Sequence, residues 1–253
     1  DKEGYCSFGI SADIIFSGAE CAKIRIAQMN KYMPHTQGDA KIHISKLDAV
    51  CLVDEPLVEV PTPTPSDIDM RIGNFIANEI PDGATLQIGV GGIPNAVINA
   101  LRNHKHLGLH TEAITDGVLP LIKSGVIDNS LKKIHPGKSV GSLVLGSRQL
   151  YDYLDYNKEV ELYDVAYTND PQIIRQNPRA MAINSAIEVD LTGQICADSI
   201  GDTIISGVGG QHDFMYGAAL SEGGKCFIAL PSLTTKGKSK IVAHLAPGAG
   251  VVT

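Results

Sequence analysis

The chain has 253 residues, 43% of them hydrophobic, and 28 acidic against 21 basic side chains give it a formal charge of −7. That size and apolar content suit one large core or two smaller ones and argue against a disordered chain, and no run approaches the roughly 18 apolar residues of a membrane-spanning helix. The acidic balance argues against a nucleic-acid binder, which needs clustered Lys and Arg, but leaves room for an anionic small molecule at a locally basic site.

Residues 1–60 carry apolar runs, CAKIRIAQMN and LDAVCLVDEPLVEVP, that read as strands of an α/β domain. PTPTPSD follows, and the alternating Pro61, Pro63 and Pro65 can continue neither sheet nor helix, so residues 61–65 are the expected linker and 66–253 a second domain. Ser66 is placed to cap a helix over SDIDMRIGNFIANEIPDG, with Asp67 and Asp69 at its positive end and Ile68, Ile72, Phe75, Ile76 and Ile80 at helical spacing. Next come strand TLQIGV, a glycine loop, helix IPNAVINALRN with Pro94 near its start, and strand LGLHTEAI, a βαβ unit with parallel strands. The remainder reads as helix VLPLIKSGV, strand SVGSLVLG, helix RQLYDYL, strand VELYDVA, a short helix after Pro171, strand MAINSA, hairpin IEVDLTGQICAD turning near Thr192 and Gly193, glycine turn SGVGGQHDF, and strand KCFIALP. Alternating strands and helices predict an open, mostly parallel sheet.

The chain opens DKEGY without a methionine and closes on GAGVVT, which reads as a strand being entered, so a piece of a longer polypeptide is expected. Cys6, Cys21, Cys51, Cys196 and Cys226 show no CxxC spacing and suit reduced thiols in a cytoplasmic protein.

In QIGVGGIPNAV, residues 87–97, glycines between strand and helix let a ligand approach the backbone, and the amides at the helix start attract an anion. Pro94 replaces the third glycine of a dinucleotide fingerprint and the Lys-Ser/Thr ending of a phosphate-binding P-loop is missing, so neither applies; a ligand-free βα turn stays open. Glu112 lies in the following strand, at the same carboxyl edge. A carboxylate beside backbone amides suits nucleophilic acyl chemistry, with a salt bridge to Lys or Arg as the alternative. SGVGGQHDF could supply a further amide or be a simple turn. His104, His106 and His110 crowd together, but no Cys or Asp completes a ligand set at metal spacing, and no GxSxG elbow supports a serine triad. The basic cluster KGKSK, 236–240, reads by itself as a solvated loop.

Taken together and in order, QIGVGGIPNAV, LGLHTEAITDGV, NSAIEVDLTGQ and SGVGGQHDF resemble the acetyl-CoA hydrolase/transferase family of class I CoA-transferases, in its 4-hydroxybutyrate or butyrate:acetate branch. The resemblance runs essentially end to end. It implies two related open α/β domains of the NagB/RpiA-like type, the amino-terminal one incomplete here, with residues 1–60 as its end. It implies Glu112 as the nucleophile, with Glu188 the weaker rival, and an oxyanion hole from Val90 and Gly209 or Gly210. Coenzyme A, as substrate, would lie against Gln87, Gly89, Val90, Gly91, Gly92, Ile93, Ile187, Ser206, Gly210 and Lys236. Acyl-CoA and small carboxylic acids are the implied partners, a homodimer is among the assemblies it allows, and neither metal nor redox cofactor is implied. The implied reaction is ping-pong CoA transfer through a glutamyl-CoA thioester, with acyl-CoA hydrolysis at the same site as the alternative. On this reading His110 is part of the wall that positions the glutamate.

Overall fold

The most continuous apolar stretches form the centre of one parallel sheet. The structure is a computed structural model that describes residues 2–253. Strands Lys225–Ala229, Ala180–Ser185, Thr85–Ile88 and Gly108–Leu109 lie side by side in that order, all parallel. A bridge from His110 to Val140 carries the pairing on to Ser139–Gly141, which pairs in parallel with Val160–Leu162. All four residues of Thr85–Ile88 are buried, as a central parallel strand requires. The expected α/β class with a mostly parallel sheet is the one observed.

The order of the strands locates the functional end. From Thr85 the chain lays down strands outward on one side, through 108–109, 139–141 and 160–162, then returns to the other side with 180–185 and 225–229. The order reverses between Thr85–Ile88 and Ala180–Ser185, and open α/β sheets bind ligands beyond the carboxyl ends at such a reversal. The glycine loop follows one of these strands, and Ala186, Ile187 and Glu188 follow the other. Two buried amides fasten the pair: Gln87 Nε2 donates to Asn184 Oδ1 at 3.2 Å, and Asn184 Nδ2 to Gln87 Oε1 at 2.8 Å. Unpaired, each would carry a desolvation cost of about 1–3 kcal/mol.

Helix Asp67–Ala77 begins at Ser66 as its sequence predicts, and the structure adds a reciprocal capping box between Ser66 and Asp69. It packs against helix Gly92–Ala100 so closely that a Cβ on Gly73 would lie 2.6 Å from the Ala96 carbonyl carbon. Its buried stripe is Gly73, Ile76 and Ala77, continued by Ile80 just beyond it, whereas Ile68 and Phe75 of the expected apolar face are exposed. The hairpin also forms as predicted, Glu188–Asp190 against Ile195–Cys196, its turn held by Asp190 Oδ1 accepting from the amides of Thr192 and Gln194.

Three expected strands are shorter than the apolar pattern suggests. LGLHTEAI breaks after Leu109 and resumes at Ala113–Thr115, and SVGSLVLG breaks at Ser142, because the Glu112 carbonyl accepts from both Ser142 N and Leu143 N and turns the two chains together out of the main sheet. Ala113–Thr115 and Leu143–Leu145 then form a separate parallel pair. VELYDVA is a strand only over Val160–Leu162; Asp164 caps a helical turn, Val165–Thr168, by accepting from Ala166 N. Residues 54–65 form no regular element and lie along the second part of the chain, where Tyr151 donates to Val58 O and Asn95 to Pro63 O. Ala12 and Ala40 join the same core as Leu86, Ile114 and Leu162.

A buried lysine braces the sheet behind the site. Lys132, 4% exposed, donates to Leu109 O at 2.9 Å and Lys138 O at 2.6 Å, tying adjacent strands together. Burial pushes its pKa down to about 7, against the partial counter-effect of Glu161. The unfolded chain therefore binds the extra proton between about pH 7 and the free-lysine value of about 10.4, so stability rises with pH over that window and is lost as pH falls through it. Urea midpoints are expected to climb from about pH 7 to 9 in the parent and to flatten in Lys132→Met; equal slopes would rule this account out.

Candidate active site

Glu112 sits at the break between the two strand segments, where no cross-strand ladder competes for its side chain. Its Oε2 accepts from Asn169 Nδ2 at 2.9 Å. A Cβ built on Gly210 would overlap both Glu112 Oε2 and Asn169 Nδ2, so the bare Cα of Gly210 lies against the carboxylate. Gly210 is also the N-cap of helix Gln211–Leu220, whose positive end and free first-turn amides favour an anion there. Among the described residues no Lys or Arg pairs with Glu112, so the salt-bridge alternative is not what the structure contains. A half-buried carboxylate with one amide donor and no cation remains available as a nucleophile.

Thr111 links this carboxylate to the glycine loop. Its Oγ1 donates to Ile88 O at 3.2 Å and accepts from Ile88 N at 3.3 Å, so the residue before Glu112 is fastened to the residue before Gly89. Gly89 N donates to Ile183 O, and a Cβ there would press on Asn184 Oδ1 at 3.0 Å. Gly91 adopts φ 143°, a conformation that favours glycine, and starts helix Gly92–Ala100. Gly92 faces Asp69, whose carboxylate would lie 2.8 Å from an added Cβ. An acidic side chain at that helix start opposes a pyrophosphate there.

The predicted residues do not all meet at one point. Glu112 and Gly210 touch, and Gly89 to Gly92 form the neighbouring loop, with Val90 exposed. Gln87 and Ile93 are buried, Gln87 spent on Asn184 and Ile93 in the core, so their side chains belong to the floor of the loop. Ile187 follows the strand at the reversal, and the basic segment lies beside it: Val189–Asp190 pairs in parallel with Ile241–Val242, and Lys240 Nζ reaches Ala186 O at 3.4 Å. Lys236 stands exposed at the tip of the turn Thr234–Lys238. Ser206 and Gly209 are exposed in the turn before Gly210, and Gly209 has φ +64° with nothing within 4 Å of an added Cβ. Glu188 opens the hairpin strand on that side of the reversal.

Asn169 is the residue that sequence reading missed. It follows a helical turn where a strand was expected, and only the Asp164 cap signals that the chain turns there to face Glu112. Asn169 also lines a cleft of about 500 Å³ with Ile14, Ser17, Asp164, Asp170 and Asp213, and burial raises the pKa of Asp213. Asn169 is the residue this cleft shares with the Glu112 carboxylate. Of the three crowded histidines, His104 bonds Ile80 O, His106 pairs with Asp128, and His110 bonds Thr168 O, so they face different partners.

Comparison with known proteins identifies the family. The chain is 50% identical to the 4-hydroxybutyrate coenzyme A transferase of Clostridium kluyveri, over all of this chain and 59% of that protein. It is 49% identical to a succinyl-CoA:acetate/propanoyl-CoA:succinate CoA transferase of Fasciola hepatica, over all of this chain and 54% of that protein. The crystal structure of 4-hydroxybutyrate CoA-transferase from Porphyromonas gingivalis superposes with a TM-score of 0.89 at 46% identity, covering 97% of this chain and 59% of that one. The chain thus spans little more than half the length of these relatives. The model of the acetyl-CoA hydrolase/transferase N-terminal domain matches residues 1–61 and that of the C-terminal domain residues 146–253, and the chain belongs to the acetyl-CoA hydrolase/transferase family.

Proposed function

We propose that this chain carries the nucleophilic half of an acyl-CoA:carboxylate CoA-transferase acting on short-chain acids such as acetate, butyrate and 4-hydroxybutyrate. The observation that carries the reading is the Glu112 carboxylate held between the Asn169 amide and the helix start at Gly210, with the glycine loop on the adjacent strand end. A Glu112 oxygen attacks the acyl-CoA carbonyl carbon, and the carbonyl oxygen takes the negative charge against amides at Val90 and at Gly209 or Gly210. The C–S bond breaks, giving an acyl-glutamyl anhydride and CoA thiolate. The thiolate attacks the glutamyl carbonyl, expels the acyl carboxylate and leaves a glutamyl-CoA thioester, which an incoming carboxylate resolves by the reverse steps. One amide donor contributes about 3 kcal/mol to such a step.

The CoA itself would run from the glycine loop past Ile187 and Ser206 toward Lys236, whose exposed ammonium suits the anionic end of the cofactor. No metal or redox group takes part in these steps. A division into the end of one CoA-transferase domain over 1–60, a linker at 61–65 and a second domain over 66–253 belongs to the same proposal, as do a homodimeric assembly and a cytoplasmic location. Among the described residues no helix is long and apolar enough to cross a membrane.

Hydrolysis at the same site is the second reading, favoured by the family's own description as hydrolase/transferase. The two differ in whether water reaches the thioester. With the protein in its full natural length, CoA release from acetyl-CoA or butyryl-CoA is expected to depend on added carboxylate. Release at the same rate without an acceptor would make the protein a hydrolase.

A further inference from the structure

We propose that His110 is a positioning residue for Glu112, a neutral imidazole wedged behind the carboxylate that fixes both groups lying against it. The proposal rests on the reading of Glu112 as nucleophile. His110 is buried, and its Nε2 bonds Thr168 O at 2.8 Å. Thr168 is fully buried, and the next residue is Asn169, whose amide donates to Glu112 Oε2. The same imidazole meets Phe214 edge-on, centroids 6.2 Å apart, and Phe214 N donates to Gly210 O one helical turn away. His110 therefore touches the neighbour of Asn169 and the helix that begins at Gly210. Because His110 and Glu112 are two residues apart in one segment, these contacts close a ring from His110 through Thr168 and Asn169 back to Glu112.

The ring has a defined protonation state. A carbonyl acceptor at Nε2 puts the proton there and leaves Nδ1 bare, and Nδ1 has no hydrogen-bond partner among the described residues. A second proton would be an unpaired buried charge. Burial first, then the nearby Lys132, brings the His110 pKa down to about 3, against the bond to Thr168 O, which raises it. The imidazole consequently stays neutral near neutral pH, and the clasp made by its Nε2 donor places Asn169 and Gly210 before substrate arrives. Misplacing a reacting group by about 1 Å can cost about 100-fold in rate, which is the scale expected when the clasp is cut.

The test uses the full-length protein and three variants, His110→Leu, His110→Gln and Glu112→Gln, with kcat, KM for acyl-CoA and Tm measured for each. The leucine variant, which has no donor, is expected to lose about 100-fold in kcat with KM within about 3-fold of the parent. The glutamine variant, whose amide can still donate to Thr168 O, is expected to recover to within about 10-fold of the parent. Full kcat in His110→Leu, or equal losses in both His110 variants, would overturn the proposal. Nitrogen NMR of the unaltered protein gives a reading independent of variant folding: an Nε2-protonated neutral ring is expected at about pH 6, and a doubly protonated ring there would overturn the proposal. Activity in Glu112→Gln would instead overturn the nucleophile assignment, so the two failures are distinguishable.

Discussion

Replacing Glu112 with alanine is expected to abolish acyl transfer while leaving the fold intact. The carboxylate is the group to which both the acyl chain and CoA are successively joined, so no neighbouring residue can complete the reaction in its place. Removing a nucleophile from a preorganised site costs on the order of 10⁴-fold or more in kcat. The fold should tolerate the change because the contacts that shape this segment are backbone ones: Glu112 O accepting from Ser142 N and Leu143 N, and Thr111 bound to Ile88. The one side-chain bond lost is that from Asn169. Tm should therefore move by only a few degrees, as for a loss of about 1 kcal/mol. Mass spectrometry of the parent after incubation with acyl-CoA is expected to find CoA joined to the peptide containing Glu112, and to find none in the variant. Glu188→Ala should be milder. Retained turnover in Glu112→Ala, or an adduct on Glu188, would reassign the nucleophile.

What could be read in the sequence followed from local rules. The helix cap at Ser66, the βα glycine turn and the hairpin turn near Thr192 and Gly193 each depend on residues within four positions of one another, and each formed where predicted. Continuous apolar runs placed the central strands for the same reason, since a strand covered on both faces has no polar face to show. The breaks at 110–112 and at Ser142 were invisible because they arise from a pair of hydrogen bonds between segments about 30 residues apart, made by a backbone carbonyl that carries no sequence signature. That same break frees Glu112 from the sheet, so the feature that creates the site is the one periodicity could not show. Asn169 was missed on similar grounds: an asparagine after a short helical turn looks like an ordinary C-terminal residue until the turn is packed against Glu112. The family resemblance supplied Glu112 and the glycines, but the buried pairing of Gln87 with Asn184 shows how a matched position can lend its side chain to the scaffold instead of the ligand.

Gly210→Ala is expected to lower kcat by about 100-fold, the loss that follows when a reacting group is displaced by about 1 Å. The backbone itself would accept the alanine, since Gly210 has φ −88°, an ordinary value for any residue. The damage comes from space alone: the new methyl would overlap Glu112 Oε2 and Asn169 Nδ2. Either the carboxylate rotates off the helix start or the Asn169 amide withdraws, and in both cases the nucleophile and its amides lose their shared geometry. Gly209→Ala is the matched control, because its causes are reversed. Gly209 has φ +64° and open space around an added Cβ, so alanine there strains the backbone by about 1 kcal/mol without reaching the carboxylate. Thermal unfolding should accordingly register Gly209→Ala more than Gly210→Ala, and turnover should register Gly210→Ala more than Gly209→Ala. A kcat for Gly210→Ala close to that of the parent would mean that the helix start does not hold Glu112 during the reaction, and the carboxylate would then have to swing away from Gly210 before it attacks.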